Sequence, residues 1–180
     1  MELWEWIVLA VAVGAGVLLL AAFVSIRRRR GRLAERFGPE YQRAVSSTGR
    51  SDAERRLSEV EKEHEELDIR SLSPAARERY RDEWHQAEVR FVSDPRDAAR
   101  AAERVVFRIL DERGYPVDGD SEDQAAHVAA DYPEVVERFR HGHAMLENVD
   151  GAQGTENLRR AMLDFRAVFE EVIEDARTAA

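Results

Sequence analysis

The chain has 180 residues, a formal net charge of -9 at pH 7 and no cysteine. This length suits one ordinary domain with a short additional segment. The lack of cysteine excludes a disulfide framework, a thiolate zinc site and a cysteine nucleophile. Apolar residues are concentrated at the N-terminal end, so the chain divides into two unlike segments.

The first predicted element is a transmembrane helix over residues 7–26. This stretch reads IVLAVAVGAGVLLLAAFVSI and carries no charge. At ~1.5 Å per residue, a helix of this length spans roughly the 30 Å of a bilayer core. Residues 1–6 precede it and contain Trp4 and Trp6, whose rings suit the headgroup zone. A cleaved signal peptide is the alternative, but such peptides have basic residues before a shorter apolar core and a small-residue cleavage site.

A basic cluster follows the predicted span and sets its orientation. The cluster consists of Arg27, Arg28, Arg29, Arg30 and Arg32. Because positive charge favours the cytoplasmic side, the N-terminus is expected outside the plasma membrane and the rest of the chain in the cytoplasm. The same arginines could contact anionic lipid headgroups, which makes the bilayer an expected partner. Nucleic acid is not expected, because acidic residues outnumber basic ones after residue 32.

Small residues at a spacing of four in the predicted span are compatible with a homodimer formed by two transmembrane helices. Ala10 and Gly14 lie four residues apart, as do Ala12 and Gly16, and such spacing lets two helix backbones approach each other. No true GxxxG occurs, so the alternative is that these small residues face lipid.

The remainder of the chain predicts an all-α fold, a transmembrane helix followed by a small helical bundle. Residues 27–50 form a basic juxtamembrane segment and a short helix, with a break at Gly38 and Pro39. Residues 51–177 are expected to form the acidic bundle domain. Ser51 and Glu54 have capping-box spacing, so they predict the start of a charged, mostly solvated helix that ends near Leu67.

Further helix boundaries have local signals. Ser73 followed by Pro74, and Asp94 followed by Pro95, each pair an N-cap residue with the residue preferred in the first helical position. Gly114 predicts a left-handed C-terminal cap in a Schellman motif.

The starts of the last three helices are also predicted from local signals. Ser121 with Gln124 indicates a capping box, Pro133 starts another helix, and the last helix follows the loop 150–154. The apolar stripes of these helices can enclose one core, so no cofactor is expected for stability.

Three histidines are candidate metal ligands: His127, His141 and His143. His141 and His143 are two apart and diverge on a helix, whereas ligand pairs need a spacing of three or four. A metal site that involves these histidines or His127 could form only if the fold brought distant side chains together. His143 lies on the apolar stripe of its helix and is therefore predicted to be a core residue.

The acidic clusters of the chain are candidates for calcium binding or acid–base chemistry, but helix ends and solvated helix faces explain them better. Residues 118–123 superficially resemble a calcium loop, but the glycine and the closing glutamate are misplaced. The carboxylate runs 59–66 and 170–175 are typical of solvated helix faces. No serine elbow, phosphate loop or dinucleotide fingerprint occurs, so the sequence predicts no catalytic residue and no enzyme.

Three segments carry a family resemblance: ERFGPEY near residue 36, LSPAARERY at 72–80 and ERGYPVD at 112–118. With them the chain resembles a family of small actinobacterial single-pass membrane proteins whose function is uncharacterised. The resemblance implies one N-terminal span and a helical domain, and it carries over no catalytic or binding residue.

The sequence therefore leads us to expect a membrane-anchored module for protein interaction or scaffolding, with an unknown protein partner. The alternative is a membrane-tethered ligand-binding sensor, and the third possibility is an enzyme without a recognisable motif. A concave apolar pocket would favour the sensor, whereas an exposed apolar groove would favour the scaffold.

Overall fold

The computed structural model describes residues 3–117, 122–149 and 153–174. Within these ranges, side chains are not described at residues 3, 5–13, 22, 26, 29, 30, 122 and 123. The described residues form eight helices and no strand, so the all-α prediction is confirmed. The helices are α1 (Leu3–Phe37), α2 (Pro39–Thr48), α3 (Arg50–Glu66), α4 (Pro74–Arg90), α5 (Pro95–Arg113), α6 (Glu122–Ala129), α7 (Pro133–Glu147) and α8 (Gly154–Ile173).

Helix α1 has two parts with opposite surroundings. In the first part the large apolar side chains are exposed: Leu18, Leu20 and Phe23 are 72%, 63% and 59% exposed. In the second part Leu33 and Phe37 are 1% and 0% exposed and belong to the core of the bundle. One continuous helix therefore joins an uncovered apolar segment to the packed domain.

Among the described residues, no helix combines the length and the apolarity that crossing a membrane requires. The side chains of residues 7–13, the first part of the predicted span, lie outside the description. The transmembrane assignment over 7–26 stays a prediction.

The residues predicted to set the topology can be placed only in part. Trp4, Arg27, Arg28 and Arg32 are exposed, whereas the side chains of Trp6, Arg29 and Arg30 lie outside the description. Gly14 and Gly16 have open space around them, since a Cβ added at either would meet nothing within 4 Å. The homodimer therefore stays a prediction.

The junction from α1 to α3 confirms one predicted boundary and corrects another. The chain breaks at Gly38, with φ +49°, as predicted, and α2 already starts at Pro39. The Ser51 capping box is wrong: α3 begins at Arg50 without a side-chain cap, because Gly49, with φ +83°, makes the turn two residues earlier.

The expectation that this charged helix is mostly solvated is confirmed, since nine of its 17 residues are exposed. Helix α3 buries Ala53, Leu57, Val60 and His64 against α1, α2 and α6. Its apolar stripe is narrow because the neighbouring helices cover only one side of it. The core cluster also includes Leu33 of α1, so packing begins well before residue 51.

The next two helix starts are confirmed in detail. The Ser73 hydroxyl accepts a hydrogen bond from the Ala76 amide at 3.1 Å, and the Asp94 carboxylate accepts one from the Asp97 amide at 3.0 Å. Each cap satisfies a backbone N–H that has no partner within the helix.

The Schellman motif is confirmed at the end of α5. Gly114 has φ +95°, and its N–H donates to the Asp111 carbonyl at 2.8 Å. The Tyr115 N–H donates to the Leu110 carbonyl at 3.0 Å. These two bonds satisfy the last carbonyls of the helix and turn the chain sharply.

The remaining boundaries are partly within the description. Ser121 and the loop residues 150–152 lie outside it. Helix α6 ends at Ala129, and α7 starts at Pro133 as predicted. Helices α5, α7 and α8 then pack together, and Gly142 permits a close approach, since a Cβ there would lie 3.0 Å from Cε1 of Phe165.

The first turn of α8 contains a carboxylate held by two arginines. Glu156 accepts hydrogen bonds from Arg159 at 2.8 Å and from Arg160 at 3.1 Å. The hydrogen bond from Arg159, followed by that from Arg160, lowers the pKa of Glu156 from 4.5 to about 2. Because the folded pKa lies below the unfolded one, this contact stabilises the fold above pH 4.5, and the stabilisation is lost as the pH falls towards 2.

We therefore expect the side-chain carboxyl of Glu156 to titrate with a midpoint near 2 when followed by carbon NMR. In Arg159→Gln the midpoint should rise towards the ordinary glutamate value, because the largest stabilising contact is gone. A wild-type midpoint at the ordinary value would contradict the contact geometry.

Candidate functional site

An apolar cavity of about 430 Å³ lies between α5, α6, α7 and the segment that follows Gly114. Its apolar lining residues are Phe107, Leu110, Pro116, Val117, Ala125, Val128, Val135, Val136 and Phe139. Pockets that hold small ligands typically measure roughly 300 to 1,000 Å³ and are lined in this way. The cavity is thus large enough for a small molecule.

Aromatic contacts fix one wall of the cavity. The rings of Phe107 and Phe139 meet edge to face, with 4.9 Å between centroids and 70° between planes. Phe139 also packs on Phe165, 5.5 Å away, which is fully buried in the core. Phe107 is 39% exposed, so this wall joins the interior to the surface.

Four polar side chains also line the cavity: Arg43, Gln124, Arg140 and His143. Arg140 binds both carboxylate oxygens of Glu40, through Nη1 to Oε2 and through Nη2 to Oε1 at 3.3 Å. Glu40 is 3% exposed. A carboxylate buried to this degree needs such a partner, because an unpaired charge there would be costly.

The second arginine is paired in the same way. Arg43 Nη2 donates to Glu137 Oε2 at 2.9 Å, and Arg43 Nε lies 3.8 Å from Glu40 Oε2. Glu40 and Arg43 are three residues apart on α2, and Glu137 and Arg140 are three apart on α7. Residues three apart share a helix face. Where α2 packs on α7, the two arginines and the two glutamates therefore meet and form ion pairs.

A separate polar cluster is buried where α3 meets α6. The Tyr115 hydroxyl donates to Asp131 Oδ2 at 2.6 Å, and His64 Nε2 lies 3.1 Å from the same oxygen. The His64 contact is within ion-pair distance. Burial, and then the hydrogen bond to Asp131, raises the pKa of Tyr115 well above its ordinary value, so the hydroxyl keeps its proton.

Arg113 joins this cluster to the end of the bundle. Its side chain is 1% exposed, and its Nη1 donates to the Tyr132 hydroxyl at 2.8 Å and to the Val172 carbonyl at 2.9 Å. The guanidinium also lies 5.4 Å from the centre of the Tyr132 ring. These contacts tie α5 to the last turns of α8, so we interpret Arg113 as a structural residue.

The histidines predicted as possible metal ligands do not converge. His127 stacks on His64 with 6.0 Å between ring centroids, whereas Nδ1 of His141 lies 2.5 Å from Asp164 Oδ2. Within the described part of the chain, no three His, Asp or Glu side chains are grouped as a metal site would require. Residues 118–121 of the calcium-like segment lie outside the description.

The prediction that His143 is a core residue is wrong. Its side chain is 54% exposed, and its Nδ1 lies 2.6 Å from Glu103 Oε1. The neighbouring Gly142 is the residue that faces α8, and Phe165 fills the space beside it. His143 therefore lies at the rim of the cavity and not in the core.

The sequence contained signals for some of the buried polar residues. Arg113 follows Ile109 and Leu110 at helical spacing on the apolar stripe of α5, and His64 likewise follows Leu57 and Val60 on α3. A charged residue on an apolar stripe could have been recognised as buried and paired. Glu40 carries no such signal, because its burial arises from the packing of α2 on α7.

Comparison with family models, with curated proteins and with solved structures found no match for this chain. The family resemblance of the three sequence segments stays a prediction.

Proposed function

We propose that the protein is a membrane-tethered sensor domain that binds a small, largely apolar ligand in the cavity between α5, α6 and α7. The observation that carries this proposal is the cavity itself, with about 430 Å³ of space and a mostly apolar lining. A concave apolar pocket with a few polar groups is the usual form of a small-molecule site.

The tether in this proposal is the first part of α1. We propose that residues 7–26 cross the plasma membrane, with the N-terminus outside and the bundle in the cytoplasm. Leu18, Leu19 and Leu20 are consecutive and 63% to 72% exposed, so apolar surface surrounds the helix and does not form one stripe. The exposed Arg27 and Arg28 follow it and favour the cytoplasmic side.

The tether is tested separately from the ligand. The full chain should remain with the membrane fraction after alkaline extraction, and protease added outside cells should leave the bundle intact. Leu19→Arg should weaken membrane retention, because a charge in the span is costly. Release of the wild type by alkali would contradict the tether, and digestion of the bundle would contradict its orientation.

The role in protein interaction stays a prediction. Within the described bundle, the large apolar side chains that are exposed include Val89, Val92 and Leu163. No contact in the structure indicates what would cover them. The cavity, by contrast, has a defined volume and lining, and it favours the sensor.

Two matched substitutions test whether the cavity binds a ligand. Ala125→Leu adds a side chain to the cavity lining, whereas Ala101→Leu adds the same atoms on α5 at a half-buried position away from it. The full chain in lipid nanodiscs is melted with and without medium-chain amphiphiles. A ligand at 100 times its Kd stabilises the folded state by about 2.7 kcal/mol.

We expect at least one probe to raise the melting temperature of the wild type and of Ala101→Leu but not that of Ala125→Leu. Because both variants are in the same bilayer, partition of the probe into lipid affects them equally. A shift of the same size in both variants, or no shift with any probe, would contradict the proposed site.

A further inference from the structure

We infer that the ligand of this cavity is uncharged and carries a hydrogen-bond-accepting oxygen, such as that of a ketone, ester or ether. The oxygen would bind the arginine pair Arg43 and Arg140, and the apolar body would pack against Phe107 and Phe139. This inference rests on the proposed function, because it specifies the ligand class of the same cavity.

The polar lining supplies donors for such an oxygen. An arginine carries five N–H donors and no acceptor. Glu40 engages Nη1 and Nη2 of Arg140, each of which carries two protons, and Glu137 engages Nη2 of Arg43. The two guanidinium groups thus have more N–H donors than these bonds use. A head group that accepts hydrogen bonds matches them, whereas an ammonium group, which only donates, does not.

The same contacts oppose a negatively charged head group. The two arginines at this end of the cavity are balanced by the carboxylates of Glu40 and Glu137. An anion bound there would add a third negative charge beside Glu40, which is 3% exposed. Because Glu40 is buried, water screens its charge poorly and it would repel an anion, so an uncharged oxygen is the better partner.

The ion pairs also hold the arginine side chains in position before a ligand binds. Both oxygens of Glu40 contact Arg140, which fixes the plane of the guanidinium before a ligand arrives. A donor held in place loses little conformational entropy when it forms another hydrogen bond. Glu40 is in this account a positioning residue, and the groups that contact the ligand are the arginines and the aromatic wall.

Three probes of equal chain length test the ligand class: a medium-chain methyl ketone, the carboxylate and the primary amine. Each is titrated into the full chain in nanodiscs, and binding is followed by the methyl NMR signals of Val128, Val135 and Val136, which line the cavity. We expect the ketone to bind about tenfold more tightly than the carboxylate, and the amine to bind most weakly.

Three substitutions at exposed positions test the roles of the arginines and of charge balance. Arg43→Gln should weaken ketone binding several-fold, whereas Arg55→Gln, at an exposed arginine of α3 that pairs with Asp52, should not. Glu137→Gln removes one of the two negative charges, so it should strengthen carboxylate binding. The side chain of Glu137 is 50% exposed, so the substitution should leave the fold intact.

The outcomes separate this inference from the proposed function. If none of the three probes moves the valine signals, the proposed ligand site is wrong. If the carboxylate or the amine binds as tightly as the ketone, the site stands and the ligand class is wrong. Unchanged carboxylate binding in Glu137→Gln would contradict the charge argument.

Discussion

Gly114→Ala is expected to lower the free energy of unfolding by about 3 kcal/mol, since a non-glycine residue in left-handed backbone costs roughly 1 to 2 kcal/mol and crowding adds to it. Gly114 has φ +95°, and a Cβ there would lie 2.6 Å from the backbone carbonyl oxygen of Asp68. The Asp68 segment has little freedom to move, because the Arg70 amide donates to the Arg113 carbonyl at 2.9 Å. Denaturant unfolding of the full chain in nanodiscs measures the effect.

Gly49→Ala measures backbone strain without crowding. Gly49 also has a positive φ, +83°, but a Cβ there would meet nothing within 4 Å. Its ψ of 160° lies in a region that essentially only glycine adopts, so the substitution should cost roughly 1 to 3 kcal/mol of backbone strain alone. A loss at Gly114 no larger than the roughly 1 to 2 kcal/mol of left-handed backbone strain would contradict the close approach of Asp68 to the end of α5.

Arg140→Met is expected to lower the free energy of unfolding by about 3 kcal/mol, because removing one partner of a buried ion pair leaves the other charge uncompensated. Glu40 is 3% exposed and would retain only Arg43, whose Nε is 3.8 Å away. The loss should be measured with Glu40→Leu and with the double variant in one thermodynamic cycle. In the double variant most of the loss should be recovered, since no unpaired charge remains.

An exposed ion pair provides the control for this cycle. Arg55 and Asp52 are 3.0 Å apart with side chains 71% and 59% exposed, and Arg55→Met should change the free energy of unfolding by less than about 1 kcal/mol. Strict additivity of the Glu40 and Arg140 substitutions would show that the pair is not coupled and would contradict its geometry.

The sequence predicted those features of the fold that depend on a few neighbouring residues. The caps at Ser73 and Asp94 and the turn at Gly114 each require only a short segment, and all three are confirmed. The Ser51 capping box failed although its spacing was correct, because Gly49 offered an earlier turn with no steric cost.

Features that depend on distant parts of the chain were not predictable in this way. His143 lies on an apolar stripe in the sequence, yet Glu103 of α5 holds it at the surface. The cavity is built from α2, α5, α6 and α7, so no single segment indicates it. The pairing of Glu40 with Arg140 likewise joins residues that are 100 positions apart.

The most direct test of the account is a measurement of contacts between the methyl ketone and the full chain in nanodiscs by intermolecular nuclear Overhauser effects. We expect cross-peaks from the chain of the ketone to the methyl groups of Val135 and Val136 and to the rings of Phe107 and Phe139, all of which line the cavity. Cross-peaks confined to exposed side chains of α1, such as Leu18, would show partition into the bilayer alone and would contradict a ligand site in the bundle.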